Sequence, residues 1–85
     1  MNGKVRIVVL QRGWVVVGRV SKDGQELVIE NASVIRRWGT AKGLGQLAAG
    51  PQKDTVLDKA GTVRAHELAV VMQIDCEETP WASAL

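Results

Sequence analysis

The fold is indicated most clearly by residues 15–30, which read VVVGRVSKDGQELVIE. Two apolar runs flank the tetrapeptide KDGQ at positions 22–25. Asp-Gly between alternating apolar runs is among the strongest local signals for a tight β-hairpin. We therefore predict two antiparallel strands joined at this turn. Gly18, inside the first of them, is predicted to mark a bulge or a close approach of another backbone.

Further strands are predicted on both sides of this hairpin. KVRIVVL, from Lys4, alternates well enough to form a strand upstream. ELVIENASVIRRW, at 26–38, is long enough to bend, and the sequence Asn-Ala-Ser at 31–33 marks the place. Downstream we predict short strands at 53–57, 62–65 and 66–74, with a turn at Ala60-Gly61.

One short helix interrupts this pattern. Leu44 to Ala49 are predicted to form about two helical turns, ended by Gly50 and Pro51. About five strands with one short helix predict a mainly β fold, a small and strongly bent antiparallel sheet or SH3-like barrel. We assign residues 1–76 to this single domain and residues 77–85 to an acidic C-terminal tail.

The three tryptophans are the only aromatic residues of the chain. Trp14 heads an apolar strand, so we expect it in the core. Trp81 lies in the tail, which we expect to be loosely ordered unless it docks on a partner. For Trp38 two interpretations stay open, a ring that caps the core and a ring that offers a face to a ligand.

Charge is distributed unevenly along the chain. Residues 1–74 contain 11 basic and 6 acidic side chains, a net charge of +5, whereas the last eleven residues contain three acidic side chains and no basic ones. The body can therefore attract anions, although +5 is modest for a protein that binds nucleic-acid polymers. The apolar runs are short, so we expect no membrane span or signal peptide, and a single cysteine predicts a soluble protein of a reducing compartment.

Catalysis is weakly supported by the residues present. His66 is the one histidine and has no Ser or Cys partner in the sequence pattern. Cys76 lies between Asp75 and Glu77, whose negative charges are expected to raise the thiol pKa. Residues 43–48 match the dinucleotide fingerprint only formally, because the helix that follows is too short. We therefore predict a protein that is not an enzyme and has no cofactor or metal.

Residues 34–50, VIRRWGTAKGLGQLAAG, form the candidate binding segment. Glycines before a helix expose backbone N–H groups, and arginine can hold a phosphate through paired donors. In a regular strand Arg36 and Trp38 share one face, so a cation and a stacking ring would arrive together. The alternative is that the arginines are solvated and the glycines only permit a turn. The predicted ligand-binding residues are Arg36, Arg37, Trp38, Thr40, Lys42, Gly43 and Gln46.

Several segments together resemble a family of small phage-encoded proteins. The similar stretches are the Asn-Ala-x-x-Ile-x-x-Trp pattern at 31–38, a small-residue loop at 39–43, and Leu-x-Gln-Leu-Ala-x-x-Gly at 44–50. The hairpin segment 20–30 and the late segment 63–76 follow the same family pattern. The chain departs from the family in having Arg36-Arg37 where members carry further aromatic residues.

We associate this family with phage sponge proteins, which assemble as oligomers and sequester the cyclic-nucleotide signals of bacterial immunity (CBASS or Thoeris type). The resemblance implies a non-catalytic anti-defence protein that acts in the cytoplasm of an infected bacterium. The expected ligand is a cyclic dinucleotide, a cyclic trinucleotide or a cyclic ADP-ribose-type signal. The expected assembly is a homo-oligomer with no membrane and no nucleic-acid polymer as partner.

Two other functions stay open at this stage. The chain could be a small phage structural barrel, or one that binds a host protein, with no nucleotide ligand. It could also be a weak nucleic-acid binder of the SH3-barrel type, whose binding would fall steeply with salt.

Overall fold

A computed structural model describes residues 3–85, which form one antiparallel sheet. Within these residues the strands are β1 (Lys4–Leu10), β2 (Val15–Asp23), β3 (Glu26–Arg37), β4 (Val56–His66) and β5 (Val70–Asp75). A short α-helix, α1, spans Glu78–Ala82, and 3-10 helices span Gln11–Gly13, Leu44–Ala49 and Glu67–Ala69. No helix within residues 3–85 has the length and apolar character needed to cross a membrane.

The strands lie in the order β4-β3-β2-β1-β5. Successive hairpins build β1 to β4 as a meander, and β5 returns to pair with β1. The predicted mainly β antiparallel fold with five strands is therefore confirmed. Within residues 3–85, β4 pairs only with β3 and β5 only with β1, so the sheet is open and these two strands are its edges.

The central hairpin forms as its turn chemistry predicts. Asp23 pairs with Glu26, which leaves Gly24 and Gln25 as a two-residue turn between β2 and β3. The register of these strands also shifts where we predicted irregularities, between Val17 and Arg19 on one strand and beside Asn31 on the other.

At Gly18 these two strands approach each other closely. A Cβ atom on Gly18 would lie 2.6 Å from Ile29 Cγ2 and 2.8 Å from the Glu30 carbonyl oxygen. Asn31, opposite this place, has a φ of 51° and forms the bulge. The predicted close approach at Gly18 and the predicted irregularity at Asn31 therefore occur at the same place in the sheet.

Two predictions in the second half of the chain are wrong. The segments 53–57 and 62–65 do not form separate strands with a turn at Ala60-Gly61, because one strand, β4, runs continuously from Val56 to His66. Its register against β3 shifts on either side of the Gly61–Ala32 pair, and residues 53–55 lie before it. The last strand begins at Val70 rather than His66, since Glu67–Ala69 form a 3-10 turn that His66 caps by accepting the Leu68 N–H at Nδ1, 3.1 Å away.

Apolar side chains pack on both faces of the sheet. One cluster combines sheet residues with one residue of the 3-10 helix 44–49 and one of α1: Val5, Ile7, Val15, Val17, Ile35, Leu47 and Trp81. The other cluster lies on the opposite face and comprises Val8, Val16, Leu27, Ile29 and Ala32. The first cluster is the one that brings the C-terminal segment against the sheet.

The expectations for two tryptophans are wrong. Trp14 is 57% exposed, although it heads an apolar strand, whereas Trp81 is fully buried. The tail is therefore ordered within the chain itself, through α1, rather than loosely ordered. The division of the chain at residue 76 remains a prediction.

Candidate functional site

The candidate segment 34–50 comprises the end of β3 and most of the connection between β3 and β4, residues 38–55, which we call the 38–55 loop. Its middle is the 3-10 helix Leu44–Ala49, which has the bounds of the predicted short helix. Gly43 precedes this helix with a φ of 91°. The predicted ligand residues thus lie at the end of β3 (Arg36 and Arg37), before the short helix (Trp38, Thr40, Lys42 and Gly43) and within it (Gln46).

Gln46 organises the first half of the loop. Its Oε1 accepts hydrogen bonds from the backbone N–H groups of Ala41, at 3.1 Å, and Lys42, at 2.9 Å. These two donors were candidates for a bound anion, and they are already satisfied by a side chain of the same loop. The predicted role of Gln46 as a ligand contact stays a prediction, whereas its role in shaping the loop is visible.

A chain of hydrogen bonds then joins the two ends of the loop. Gln46 Nε2 donates to Gln52 Oε1 at 3.2 Å, and the Gln52 N–H donates to Thr55 Oγ1 at 2.8 Å. Thr55 Oγ1 in turn donates to the Trp38 carbonyl oxygen at 2.6 Å. Gln52 and Thr55 were missed from the sequence, where no local motif connects them with Trp38.

Gly39 allows the two ends of the loop to touch. A Cβ at this position would lie 2.3 Å from the Asp54 carbonyl carbon, and the φ of Gly39 is 66°. Both facts exclude a larger residue without a backbone shift. The backbone beside Trp38 is therefore fixed by packing as well as by hydrogen bonds.

The Trp38 side chain itself is 42% exposed. This exposure is compatible with both interpretations of the ring, one that caps the core and one that offers a face to a ligand, and both stay predictions. A partly exposed indole on a well-bonded backbone offers a flat apolar face to solvent.

The two adjacent arginines differ in what surrounds them. Arg36 Nε donates to Asp58 Oδ2 at 2.8 Å, so its charge is compensated. Arg37 is exposed and forms no ion pair with any described residue. The register shifts between Ile35 and Arg37, and β3 ends at Arg37, so the strand alternation that predicted a shared face for Arg36 and Trp38 does not extend to the ring.

The remaining predicted residues lie further along the loop. Lys42 is exposed and has no ion-pair partner among residues 3–85, and the same is true of Lys53. Thr40 and Gly43 are partly buried. Together with Arg37 these lysines give the loop surface three uncompensated cations, against the single acidic residue Asp54.

The inner side of the loop packs on the C-terminal segment. Leu47 and Trp81 are both fully buried, and Trp81 Nε1 donates to the Leu47 carbonyl oxygen at 2.7 Å. The Glu77 N–H donates to the Ala48 carbonyl oxygen at 2.8 Å. The tail thus donates hydrogen bonds to two carbonyls in the last turn of the 3-10 helix, one of which, that of Leu47, also accepts the Gly50 N–H.

An ion pair fastens α1 to the sheet. Arg19, on β2, makes two hydrogen bonds to the Glu78 carboxylate, one of them from Nη1 to Oε1 at 2.9 Å. This contact raises the pKa of Arg19, and the same hydrogen bonding lowers the pKa of Glu78. A bidentate arginine–carboxylate pair is the strongest geometry for such a contact.

A cavity of about 150 Å³ lies away from the 38–55 loop. It is lined by Arg6, Val20, Ser21, Lys22, Leu27 and Gln73. Both of its cations are compensated, since Arg6 Nε lies 2.9 Å from Asp75 Oδ1 and Lys22 Nζ lies 2.9 Å from Glu67 Oε1. Pockets for drug-sized ligands measure about 300–1,000 Å³, so this cavity is too small to enclose a nucleotide.

Two features used in many active sites are a reactive thiol and a cluster of metal ligands; among residues 3–85 the thiol is that of Cys76, which is half-buried. Burial raises the pKa of the Cys76 thiol to about 11, and the nearby Asp75 charge adds to the effect. The direction agrees with the sequence-based expectation, but burial is the larger cause. Within residues 3–85 no three His, Cys, Asp or Glu side chains are grouped as metal ligands would be.

Comparison of the chain with known protein families and with curated proteins found no match.

Proposed function

We propose that the protein binds a small cyclic nucleotide on the outer surface of the 38–55 loop and retains it without cleaving it. The observation that carries the proposal is the exposed Trp38 ring beside the uncompensated Arg37 on a well-bonded backbone. This pairs a stacking surface with a phosphate-binding cation.

The energetics of such a surface favour a nucleotide. Stacking of a base on an aromatic side chain contributes about 1–3 kcal/mol, and a hydrogen bond to a charged group about 1.5–3 kcal/mol. The Gln46–Gln52–Thr55 hydrogen bonds hold the loop before a ligand arrives. A site arranged in advance loses less conformational entropy on binding.

Arg37, Lys42 and Lys53 are the cations we assign to the phosphates. Arg36 is not among them, because Asp58 already compensates it. This modifies the sequence-based hypothesis by choosing one of the two adjacent arginines.

Retention without cleavage is part of the proposal. The His66 Nδ1 atom accepts a backbone N–H, and the Cys76 thiol has its pKa raised by burial. Neither group belongs to the 38–55 loop. A nucleotide held there would have no activated nucleophile beside it.

We also propose an SH3-like arrangement of the strands and a cellular location for the protein. The meander β1 to β4, the return of β5 beside β1, and the register shifts beside Gly18 and Asn31 support an SH3-like arrangement of the sheet. Action as an anti-defence sponge in the cytoplasm of an infected bacterium rests on the resemblance to the phage family alone.

A second candidate function is favoured by a different surface. Trp14 and Leu68 are both exposed, and Gln11 Nε2 donates to the Leu68 carbonyl oxygen at 3.3 Å, which brings the two turns together. Exposed large apolar side chains that adjoin one another are typical of protein-binding surfaces. A barrel that binds a host or virion protein would use this surface, and the Trp38 surface would then be incidental.

A retention assay tests the proposal. Purified protein is incubated with cyclic dinucleotides, cyclic trinucleotides and cyclic ADP-ribose isomers, then filtered, and the filtrate is analysed before and after heat denaturation. We expect one nucleotide to disappear and to return intact on heating. A nucleotide that returns altered contradicts retention without cleavage, and passage of the whole panel contradicts nucleotide binding and favours the protein-binding function.

A further inference from the structure

The cavity of about 150 Å³, which we call the Arg6–Lys22 cavity, lies between strands that do not all pair with one another. Arg6 and Gln73 come from the paired strands β1 and β5, whereas residues 20–22 and Leu27 come from the β2–β3 hairpin. In the described part of the chain β5 has no ladder with β2 or β3. The cavity shares no lining residue with the 38–55 loop or with the Trp14–Leu68 surface, so it is a separate site.

The lining of this cavity contains the cations of two ion pairs and neither of their acidic partners. Arg6 and Lys22 line it, whereas Asp75 and Glu67 do not. A molecule in the cavity therefore meets positive charge first, although the four groups together have no net charge. This arrangement favours an anion with one charge over an anion with two, because a second charge would also be repelled by Asp75 and Glu67.

Arg6 retains hydrogen-bonding capacity although its charge is compensated. Its Nε lies 2.9 Å from Asp75 Oδ1, yet Nε is buried and has no hydrogen-bond partner within residues 3–85, so its N–H is not directed at that oxygen. Its Nη1 donates to Gln73 Oε1 over 3.3 Å, longer than the usual distance of about 2.9–3.0 Å. A buried donor without an acceptor is unfavourable, and an oxyanion beside the guanidinium would supply an acceptor.

The other lining residues suit a short carbon chain. Val20 and Leu27 give the cavity an apolar wall, and Leu27 is itself buried. Ser21 and Gln73 add polar side chains beside this wall. An apolar cavity of about 150 Å³ holds a benzene molecule, so a cavity of this volume accommodates about six heavy atoms.

We infer that the Arg6–Lys22 cavity binds a small monocarboxylate, with the carboxylate on Arg6 and Lys22 and the carbon chain against Val20 and Leu27. A carboxylate can accept parallel hydrogen bonds from one guanidinium, which is the geometry that Arg6 offers. An acid of about six heavy atoms, such as butyrate, matches the volume and would be enclosed whole. The inference does not depend on nucleotide binding, since it concerns a second ligand at a different place.

Titration of the isotope-labelled protein with butyrate at constant ionic strength, followed by NMR, tests this inference. We expect saturable shifts of the Arg6 Nε–H and of the backbone N–H groups of Ser21, Lys22 and Gln73. Acetate, which lacks two methylene groups, is expected to bind more weakly because it leaves the apolar wall uncovered. Inorganic phosphate, studied above neutral pH where it carries mainly two charges, is expected to bind more weakly than butyrate.

Three results of this titration would overturn the inference. They are the lack of saturable shifts with butyrate, shifts that lie outside the cavity lining, and phosphate or acetate binding at least as tightly as butyrate. None of these comparisons requires a variant, so they do not depend on how a substitution affects folding.

Arg6→Gln and Arg36→Gln form a matched pair of variants. Each removes an arginine whose Nε lies close to an aspartate, at 2.9 Å and 2.8 Å, but only Arg6 lines the cavity. Arg6→Gln is expected to weaken butyrate binding by roughly tenfold or more, the effect of losing a charge-assisted hydrogen bond, and Arg36→Gln to leave it unchanged. Equal butyrate binding by the two variants would show that the acid binds without using Arg6 and would overturn the inference.

Discussion

Trp38, the first residue of the 38–55 loop, and Trp81, which packs on this loop, differ in their exposure. Trp81 is fully buried under the loop and donates a hydrogen bond to Leu47, whereas Trp38 stands at the start of the loop with 42% of its surface exposed. The comparison teaches that the inner side of the 38–55 loop is structural and leaves its outer side free for a ligand. Substitutions of side chains on the inner side and on the outer side of the loop test whether the two sides differ in this way.

The largest effect, a loss of folding stability, is expected for Trp81→Ala on the inner side of the 38–55 loop. Removal of a buried tryptophan typically costs about 3–5 kcal/mol of stability, and the Leu47 carbonyl oxygen loses one of its two donors, keeping the Gly50 N–H. Chemical denaturation of both proteins measures the difference in the free energy of unfolding. A loss below about 1 kcal/mol, the usual size of a surface effect, would show that α1 is not docked as described.

The next effect is expected on the outer side, from the matched pair Arg37→Ala and Arg36→Ala. Loss of the Arg37 contact with a phosphate is expected to weaken nucleotide binding by about 1.5–3 kcal/mol, the contribution of a charge-assisted hydrogen bond. Arg36→Ala removes only an exposed ion pair with Asp58, which contributes about 0–1 kcal/mol to stability. Titration calorimetry with the retained nucleotide separates the two, and equal effects would contradict the assignment of Arg37.

A smaller loss of stability is expected for Gln46→Ala, which removes a side chain that holds the backbone of the 38–55 loop. The N–H groups of Ala41 and Lys42 lose their acceptor, at a cost of about 1–2 kcal/mol reduced by access to water. Gln25→Ala, in the exposed β2–β3 turn, is the matched control. Hydrogen exchange should show faster exchange of these two N–H groups only in Gln46→Ala, and unchanged exchange would remove Gln46 as the organiser of the loop.

The smallest effect is the change with pH in the stability that the Arg19–Glu78 ion pair contributes. Hydrogen bonding to Arg19 lowers the pKa of Glu78 from its ordinary value of 4.5, so the unfolded chain binds this proton more readily than the folded one. The stabilisation is present above that ordinary value and is lost as the pH falls below it.

Glu78→Gln measures this directly. The difference in melting temperature between the unmodified chain and the variant should shrink as the pH is lowered, since acid neutralises Glu78 in the unmodified chain. Glu30→Gln, at an exposed position without an ion pair among the described residues, is the control. A difference that stays constant with pH would mean that this ion pair does not hold α1.

Features that depend on a few neighbouring residues were predictable from the sequence. The β2–β3 hairpin follows from Asp-Gly between apolar runs, the bulge from Asn31, and the bounds of the 3-10 helix from the glycine and proline after Ala49. Each of these signals acts through local backbone preferences.

Features that depend on distant residues were not predictable. Trp81 is buried because Leu47, 34 residues away, accepts its hydrogen bond, and Arg36 is compensated because Asp58 pairs with it across 22 residues. The residues Gln52 and Thr55 gained a role only through contacts made by the folded loop. Strand alternation also failed at Trp38, since β3 shifts register and ends before it.

The most direct test of the account is one experiment on Trp38→Ala that measures nucleotide retention and the free energy of unfolding in the same preparation, with Trp14→Ala as the exposed control. We expect Trp38→Ala to weaken retention by about 1–3 kcal/mol, the contribution of one stacked base, and to change the free energy of unfolding by about 0.5–1 kcal/mol. Trp14→Ala is expected to retain the nucleotide. Undiminished retention by Trp38→Ala, or a loss of stability as large as that of Trp81→Ala, would contradict the division of the loop into a structural side and a binding side.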